Sequence, residues 1–283
     1  MKNKDSQLVE QLIYEMELRN YSKKSIHTYK MLLTKLENHF RLPLEQVTNQ
    51  QFKDYLHQRI TTDGISVSMI NQSISVYKIL QVDILKRDWE RIKVKRPRRE
   101  KKLPVILSME EVERLINVTR NIKHKALLML AYSSGLRREE IQLIKPSAID
   151  SARMQVHVVQ GKGKKDRYTI LSAKALDLLR IYYKYEKPST FLFETQGKKG
   201  QHLSASTLNC IVKKNAVKAG IKKQISFHTL RHCFATHLLE KGVNIRLIQQ
   251  FLGHVSIKTT SGYLSLANIH PASVSSPLDS MNI

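Results

Sequence analysis

Between Ile92 and Pro104 the chain reads IKVKRPRREKKLP, and seven of the ten residues from Lys93 to Lys102 are lysine or arginine. Such a run cannot bury a core, and its prolines keep it from becoming one helix that joins its two flanks. The 283 residues are therefore expected to fold as two domains, residues 1–92 and 105–283, with 93–104 as a basic linker. Each domain is long enough to bury a core of its own.

The first domain has a helical period throughout. Val9, Leu12, Ile13 and Met16 make one apolar stripe, and Ile26, Tyr29, Leu33, Leu36 and Phe40 make the next. Thr48 is placed to cap a third helix carrying Phe52, Tyr55 and Leu56. A fourth, from about Ser66, turns Ile70, Ile74, Tyr77 and Ile84 inward. Four short helices predict a small bundle. The second domain opens on SMEE, where Ser108 and Glu111 have the spacing of a capping box. A helix from Lys123 to Ser133 should stop at Gly135. QVHVV (155–159) and RYTIL (167–171) alternate as strands, joined by QGKGKKD. After them the pattern returns to helix almost to the end. The expected fold class is mainly α: a helical bundle, then a mixed α/β domain with a small antiparallel sheet.

Lys and Arg outnumber Asp and Glu 48 to 24, a formal charge of +24. An excess of that size self-repels unless a polyanion neutralises it, so nucleic acid is the first partner to consider and an anionic membrane surface the second. The longest apolar run, Ala126 to Tyr132, is too short to span a bilayer, and the start has no signal-peptide h-region. Cys210 and Cys233 form no CxxC pattern. These features predict a cytoplasmic, reduced protein without membrane contact. No GxxxxGK[ST] loop occurs, and no cofactor or small-molecule substrate is expected.

Four places hold residues suited to phosphate chemistry. In FHTLRHCFATHLL, His228 and Arg231 are three apart and share a helix face, while Phe227, Leu230, Phe234 and Leu238 can anchor the helix. His228, His232 and His237 have zinc-like spacing, but the glutamate of an HExxH helix is missing, so no metal site is expected. In YSSGLRREE, Arg137 follows Gly135 at a helix start, and Glu140 can hold its guanidinium. Lys162 lies between two glycines at the hairpin tip, where the backbone can approach a ligand closely. Finally, LGHVSIKTTSGY sets His254 nine residues before Tyr263 in a stretch poor in large apolar side chains.

In that order, through GLRREE, QGKGKKDRYTIL, SFHTLRHCFATHLLEKG and IQQFLGHVSIKTTSGY, the chain resembles the tyrosine recombinases of the phage integrase and Xer family. YSKKSIHTYKMLL in the first domain is similar to that family's helical, SAM-like core-binding domain. The resemblance implies a site-specific recombinase in which Tyr263 attacks a DNA phosphate and forms a 3′-phosphotyrosine. It gives Arg137 and Arg231 the non-bridging oxygens, His254 a further hydrogen bond, His228 the role of general base and Lys162 that of general acid. It implies no metal, a homotetramer on DNA, and a role in a mobile element. A type IB topoisomerase-like enzyme and a non-catalytic DNA-binding regulator are the alternatives. The tail, with Pro271 and Pro277, departs from the family's docking helix. It is expected to dock as an extended arm from about Ala267, anchored by Leu278.

Overall fold

The computed structural model describes residues 6–40, 42–89, 94–97, 103–159 and 166–267. The chain divides into two compact units, 1–102 and 103–283.

The first unit is helical among the described residues. It contains α1 (Gln7–Leu18), α2 (Lys23–Phe40), α3 (Asn49–Thr61) and α4 (Val67–Lys78). Starts follow from caps: Ser6, Thr48 and Ser66 each accept a backbone N–H three residues on. Gln51 returns a bond from the Thr48 N–H at 2.8 Å, closing a capping box. The stripes face one core of Val9, Leu12, Met16, Leu33, Leu36, Ile70 and Ile74. Each such side chain stabilises the fold by about 1.5–3 kcal/mol when fully buried. At its centre Phe52 stacks on Tyr77 at 3.7 Å between ring centroids, and the Tyr77 hydroxyl reaches Asn49 Oδ1. Beyond Lys78 the helix widens into a π-turn, Ile79–Ile84, which the apolar period does not distinguish from α-helix. Val94 is buried in this core, and Arg96 donates to Asn71 O and Ser75 Oγ.

The second unit holds α5 (Met109–Asn117), α6 (Ile122–Ser133), α7 (Arg138–Leu143), β1 (Ile149–Asp150), β2 (Gln155–Val158) and β3 (Arg167–Ile170). Next come α8 (Ala173–Glu186), β4 (Glu194–Thr195), β5 (Lys198–His202) and α9 (Ala205–Lys218). The described part closes with α10 (Phe227–Glu240), α11 (Ile245–Leu252) and α12 (Ile257–Ser261). Ser108 and Glu111 form the expected capping box at the start of α5. The apolar helix α6 packs against α8 and α10, which makes it the spine of the unit.

β1, β2 and β3 form an antiparallel sheet in that order, with Val156 opposite Thr169 and Val158 opposite Arg167. Sequence reasoning placed no strand after residue 171, yet β4 and β5 pair antiparallel. Lys198–His202 is polar and exposed, so it lacks the alternation that marks a half-buried strand. Cys210 is exposed and Cys233 is buried, both as free thiols; Cys233 Sγ accepts the Leu107 N–H. Among the described residues no helix is long and apolar enough to cross a membrane. Lys162 and the tail from residue 268 onward, including Leu278, lie outside the described residues.

Candidate active site

The site is assembled around the C-terminal end of α11. A helix leaves its last carbonyls without intrahelical partners, at the negative end of its dipole. Here three consecutive carbonyls each receive an arginine. Arg167 Nε donates to Phe251 O at 2.8 Å, Arg231 Nη2 to Leu252 O at 2.6 Å, and Arg137 Nη2 to Gly253 O at 3.2 Å. Gly253 ends the helix at φ +60°, and a Cβ there would stand 2.6 Å from Arg167 Cδ. Gly135 has φ +59°, and a Cβ on it would collide with the Phe234 ring. Its carbonyl accepts from Arg231 Nη1 at 2.7 Å. Both turns therefore need the freedom of glycine.

One carboxylate balances these cations. Glu140, in the first turn of α7, accepts from the Arg137 backbone N–H and from Arg137 Nη1, each at 2.7 Å. It also accepts from Arg167 Nη1 and Nη2, both at 2.7 Å, the two-pronged geometry that arginine alone supplies. Arg231 Nη1 lies 4.0 Å away. Burial works against the charge on Glu140, but bonding to Arg167 and then Arg137 outweighs it, bringing its pKa to about 2. Arg231 is 1% exposed. Burial, then the charge of Arg137, lowers its pKa to about 9, so it stays protonated at neutral pH.

His254 follows directly on this cluster. Its Nε2 lies 3.1 Å from Arg231 Nη2 and its Nδ1 lies 2.9 Å from Thr260 Oγ1. An arginine can only donate, so Nε2 accepts, and in the neutral ring Nδ1 carries the proton and donates to the threonine. Burial, with Arg231 and Arg137 next, depresses the His254 pKa to about 3. Thr260 is buried on α12, the short helix capped by Ser256 into which the segment before Tyr263 folds.

Tyr263 is 6% exposed. Its ring lies parallel to that of His254, 6.3 Å between centroids, and packs with Phe234, Ile248 and Leu252. Burial raises its pKa, opposed by Arg231 and Arg137. Its hydroxyl meets His232 Nδ1 at 3.0 Å. His228, the sequence candidate for general base, stands one helical turn back, edge-on to His232 with centroids 4.6 Å apart. His228 instead faces a cavity of about 300 Å³ lined also by Arg137, Arg138, Glu139, Asn209 and Ser226. Burial, then the charges of Arg231, Arg137 and Arg138, lowers its pKa.

The structure thus gathers Arg137, His228, Arg231, His254 and Tyr263 in one place, while Lys162 is outside the described residues. Sequence reasoning missed Arg167, His232 and Thr260. Arg167 is one of many basic residues and meets Glu140 27 positions away, so only the sheet register could reveal it. His232 was visible only as a zinc-spaced histidine. Its Nδ1 is bonded to Tyr263, while His237 bonds Tyr132 and Leu107 O. Among the described residues no three His, Cys, Asp or Glu side chains group as a metal site.

Residues 106–270 match the phage integrase family, and residues 8–91 match the phage integrase N-terminal SAM-like domain. The chain belongs to the phage integrase family. It is 33% identical to a tyrosine recombinase of Thermosipho africanus, over 90% of this chain and 93% of the relative. It is 32% identical to the tyrosine recombinase XerA of Pyrococcus horikoshii, over 94% of this chain and 91% of the relative. The fold is that of a lambda integrase solved as a tetramer on a Holliday junction. That likeness has a TM-score of 0.71 at 17% identity, covering 90% of this chain and 76% of the integrase. These relationships make the protein an enzyme of the tyrosine recombinase type.

Proposed function

We propose that the protein cuts and rejoins duplex DNA at a specific site through a covalent 3′-phosphotyrosine at Tyr263, as the integrase or recombinase of a mobile element. The observation that carries this reading is the placement of a tyrosine hydroxyl beside arginines whose counter-charge is a single shared carboxylate. Glu140 offsets part of the positive charge of Arg137, Arg167 and Arg231, and the site gains from an added anion.

A phosphodiester enters the cavity at the N-terminus of α10, where the helix dipole favours negative charge. Arg137 and Arg231 neutralise the phosphorane as it forms. The bonds they already make leave N–H donors over on each guanidinium. His228 completes the cradle, His254 holds Arg231 in place through Nε2, and Lys162 protonates the leaving 5′ oxygen. Ionising a tyrosine of pKa near 10 at pH 7 costs about 4 kcal/mol, so its proton has to leave as the bond to phosphorus forms. The arginines supply the charge that a metal supplies elsewhere, so the reaction is expected to run in chelator. The covalent intermediate conserves the energy of the broken bond, and rejoining needs no nucleotide. The net charge of +24 suits a clamp on DNA phosphates whose affinity falls with salt, and the tetrameric integrase of the same fold supports a tetramer on DNA.

The test is a nicked half-site DNA from which the cut fragment diffuses away. Wild type should leave a covalent adduct on a denaturing gel, with or without chelator. Tyr263→Phe should bind the same DNA and leave none. An adduct from the phenylalanine variant would remove Tyr263 as the nucleophile.

A further inference from the structure

The one hydrogen bond made by the Tyr263 hydroxyl among the described residues goes to a side chain without a part in the chemistry above, His232. We propose that His232 aims the Tyr263 hydroxyl and takes its proton as the tyrosine attacks phosphorus, while His228 faces the phosphate. This assignment rests on Tyr263 being the nucleophile.

Geometry favours His232 over its neighbour. Its Nδ1 is 3.0 Å from the hydroxyl, within the reach a general base needs before substrate arrives. His228 meets the His232 ring at a right angle and otherwise looks into the cavity with Arg137 and Arg138. The His232 ring packs between those of His228 and Tyr263, with centroids 4.6 Å and 5.6 Å away.

The electrostatics suit the role as well. Burial, then His228 and Arg231, lower the His232 pKa to about 4, so at neutral pH the ring is uncharged and keeps one bare nitrogen. The groups facing it are His228 and Arg231 on its own helix and Tyr263 after α12. Arg137, at the start of α7, and His254 lie one layer further, around Arg231 and Tyr263. A phosphodiester held by Arg137 and Arg231 offsets the positive charge that depresses His232. Its basicity therefore rises when DNA is in place, and the tyrosine is left protonated in an empty site.

The step balances without a co-reactant. The Tyr263 Oη–phosphorus bond forms and the bond from phosphorus to the 5′ oxygen breaks. The phenol proton passes to His232 Nδ1. The 5′ oxygen leaves as a hydroxyl with a proton from a separate acid, assigned above to Lys162. On rejoining, both transfers reverse.

The experiment is single-turnover cleavage of the nicked half-site across pH by wild type, His232→Asn and His228→Asn. His232→Asn should cleave at least about 100-fold more slowly, bind DNA nearly as wild type does, and gain rate with pH where wild type has levelled. His228→Asn should slow cleavage but keep the shape of the wild-type profile. Cleavage by His232→Asn within about threefold of wild type and with the same profile overturns the proposal. So does loss of the profile in His228→Asn alone. Tyr263→Phe separates the two readings: an adduct from it defeats the nucleophile itself, whatever His232 does. A second measurement needs no His232 variant. The ¹⁵N resonance of His232 Nδ1 in the free protein should move when Tyr263 becomes phenylalanine, and an unmoved resonance overturns the bond on which the proposal stands.

Discussion

The two sides of the active site are built differently. On the arginine side each group is held more than once: Glu140 accepts four hydrogen bonds at 2.7 Å, and Arg231 is fixed by Gly135 O, Leu252 O and His254. On the tyrosine side the ring is packed, but among the described residues its hydroxyl has one bond, and α12 is tied to His254 through one threonine hydroxyl. A group that must meet a phosphate at a fixed point benefits from redundancy, because preorganised charge costs no reorganisation during reaction. A nucleophile that must form and later break a bond to phosphorus benefits from being held lightly. The contrast is quantitative and can be broken.

The largest effect is expected from Glu140→Gln. It leaves Arg137, Arg167 and Arg231 close together without their shared carboxylate, and loss of one partner from a buried ion pair costs about 3–5 kcal/mol. Denaturant unfolding of the two proteins checks this. A loss below about 1 kcal/mol would mean that the arginines are held by the α11 carbonyls alone.

Arg231→Lys keeps the charge but cannot reproduce the fork to Gly135 O and Leu252 O. Adduct formation should fall about 10²–10³-fold, the range for losing an aligned donor to a developing anion. Near-normal single-turnover rates would show that position matters less than charge on this side.

Acid should act more gently, and on both sides. His254 and His232 are held at about 3 and about 4 against an ordinary 6.5, so the fold is favoured while they are neutral. That contribution is whole above about pH 6.5 and is lost as pH falls toward 4 and 3. Glu140, held at about 2 against 4.5, adds its own loss only between those values. Melting temperatures should therefore decline from pH 6.5 downward, and more steeply below 4.5; a flat profile to pH 4 would contradict neutral, buried imidazoles.

Thr260→Val should have the smallest effect. It removes one neutral hydrogen bond to His254 Nδ1, worth about 1 kcal/mol, and leaves the arginine network untouched. Cleavage should drop by about tenfold or less. A loss as large as that of Arg231→Lys would erase the distinction between the two sides.

Local signals made much of this legible from residues alone. The boxes at Thr48 and Ser108 and the reach of Glu140 back to Arg137 each join residues three apart, where spacing decides geometry, and the stop at Gly135 is as local. His228 and Arg231 were readable as one helix face for the same reason. What escaped depends on how separate elements pack. Arg167 reaches Phe251 O because β3 lies against α11, and only the folded chain shows that His232 rather than His228 meets the Tyr263 hydroxyl. β4 and β5 escaped because a turn at Gly197 and a positive-φ glycine, Gly200, inside β5 shape them, not apolar alternation. The capping of α11 by three arginines could have been suspected, since LGH gives a helix stop and the orphan carbonyls before it need donors.

The two thiols have a practical consequence. Cys233 is enclosed and its pKa is raised to about 11, by burial first, so near neutral pH it offers almost no thiolate. Cys210 is exposed, and it follows Asn209, which lines the cavity and accepts the N–H of Phe227 at the start of α10. A maleimide dye added to the unmodified native protein should therefore attach at one position beside the substrate entrance. The chain carries a built-in labelling handle, and the brightness of a dye there can report DNA arriving and leaving without any engineered cysteine.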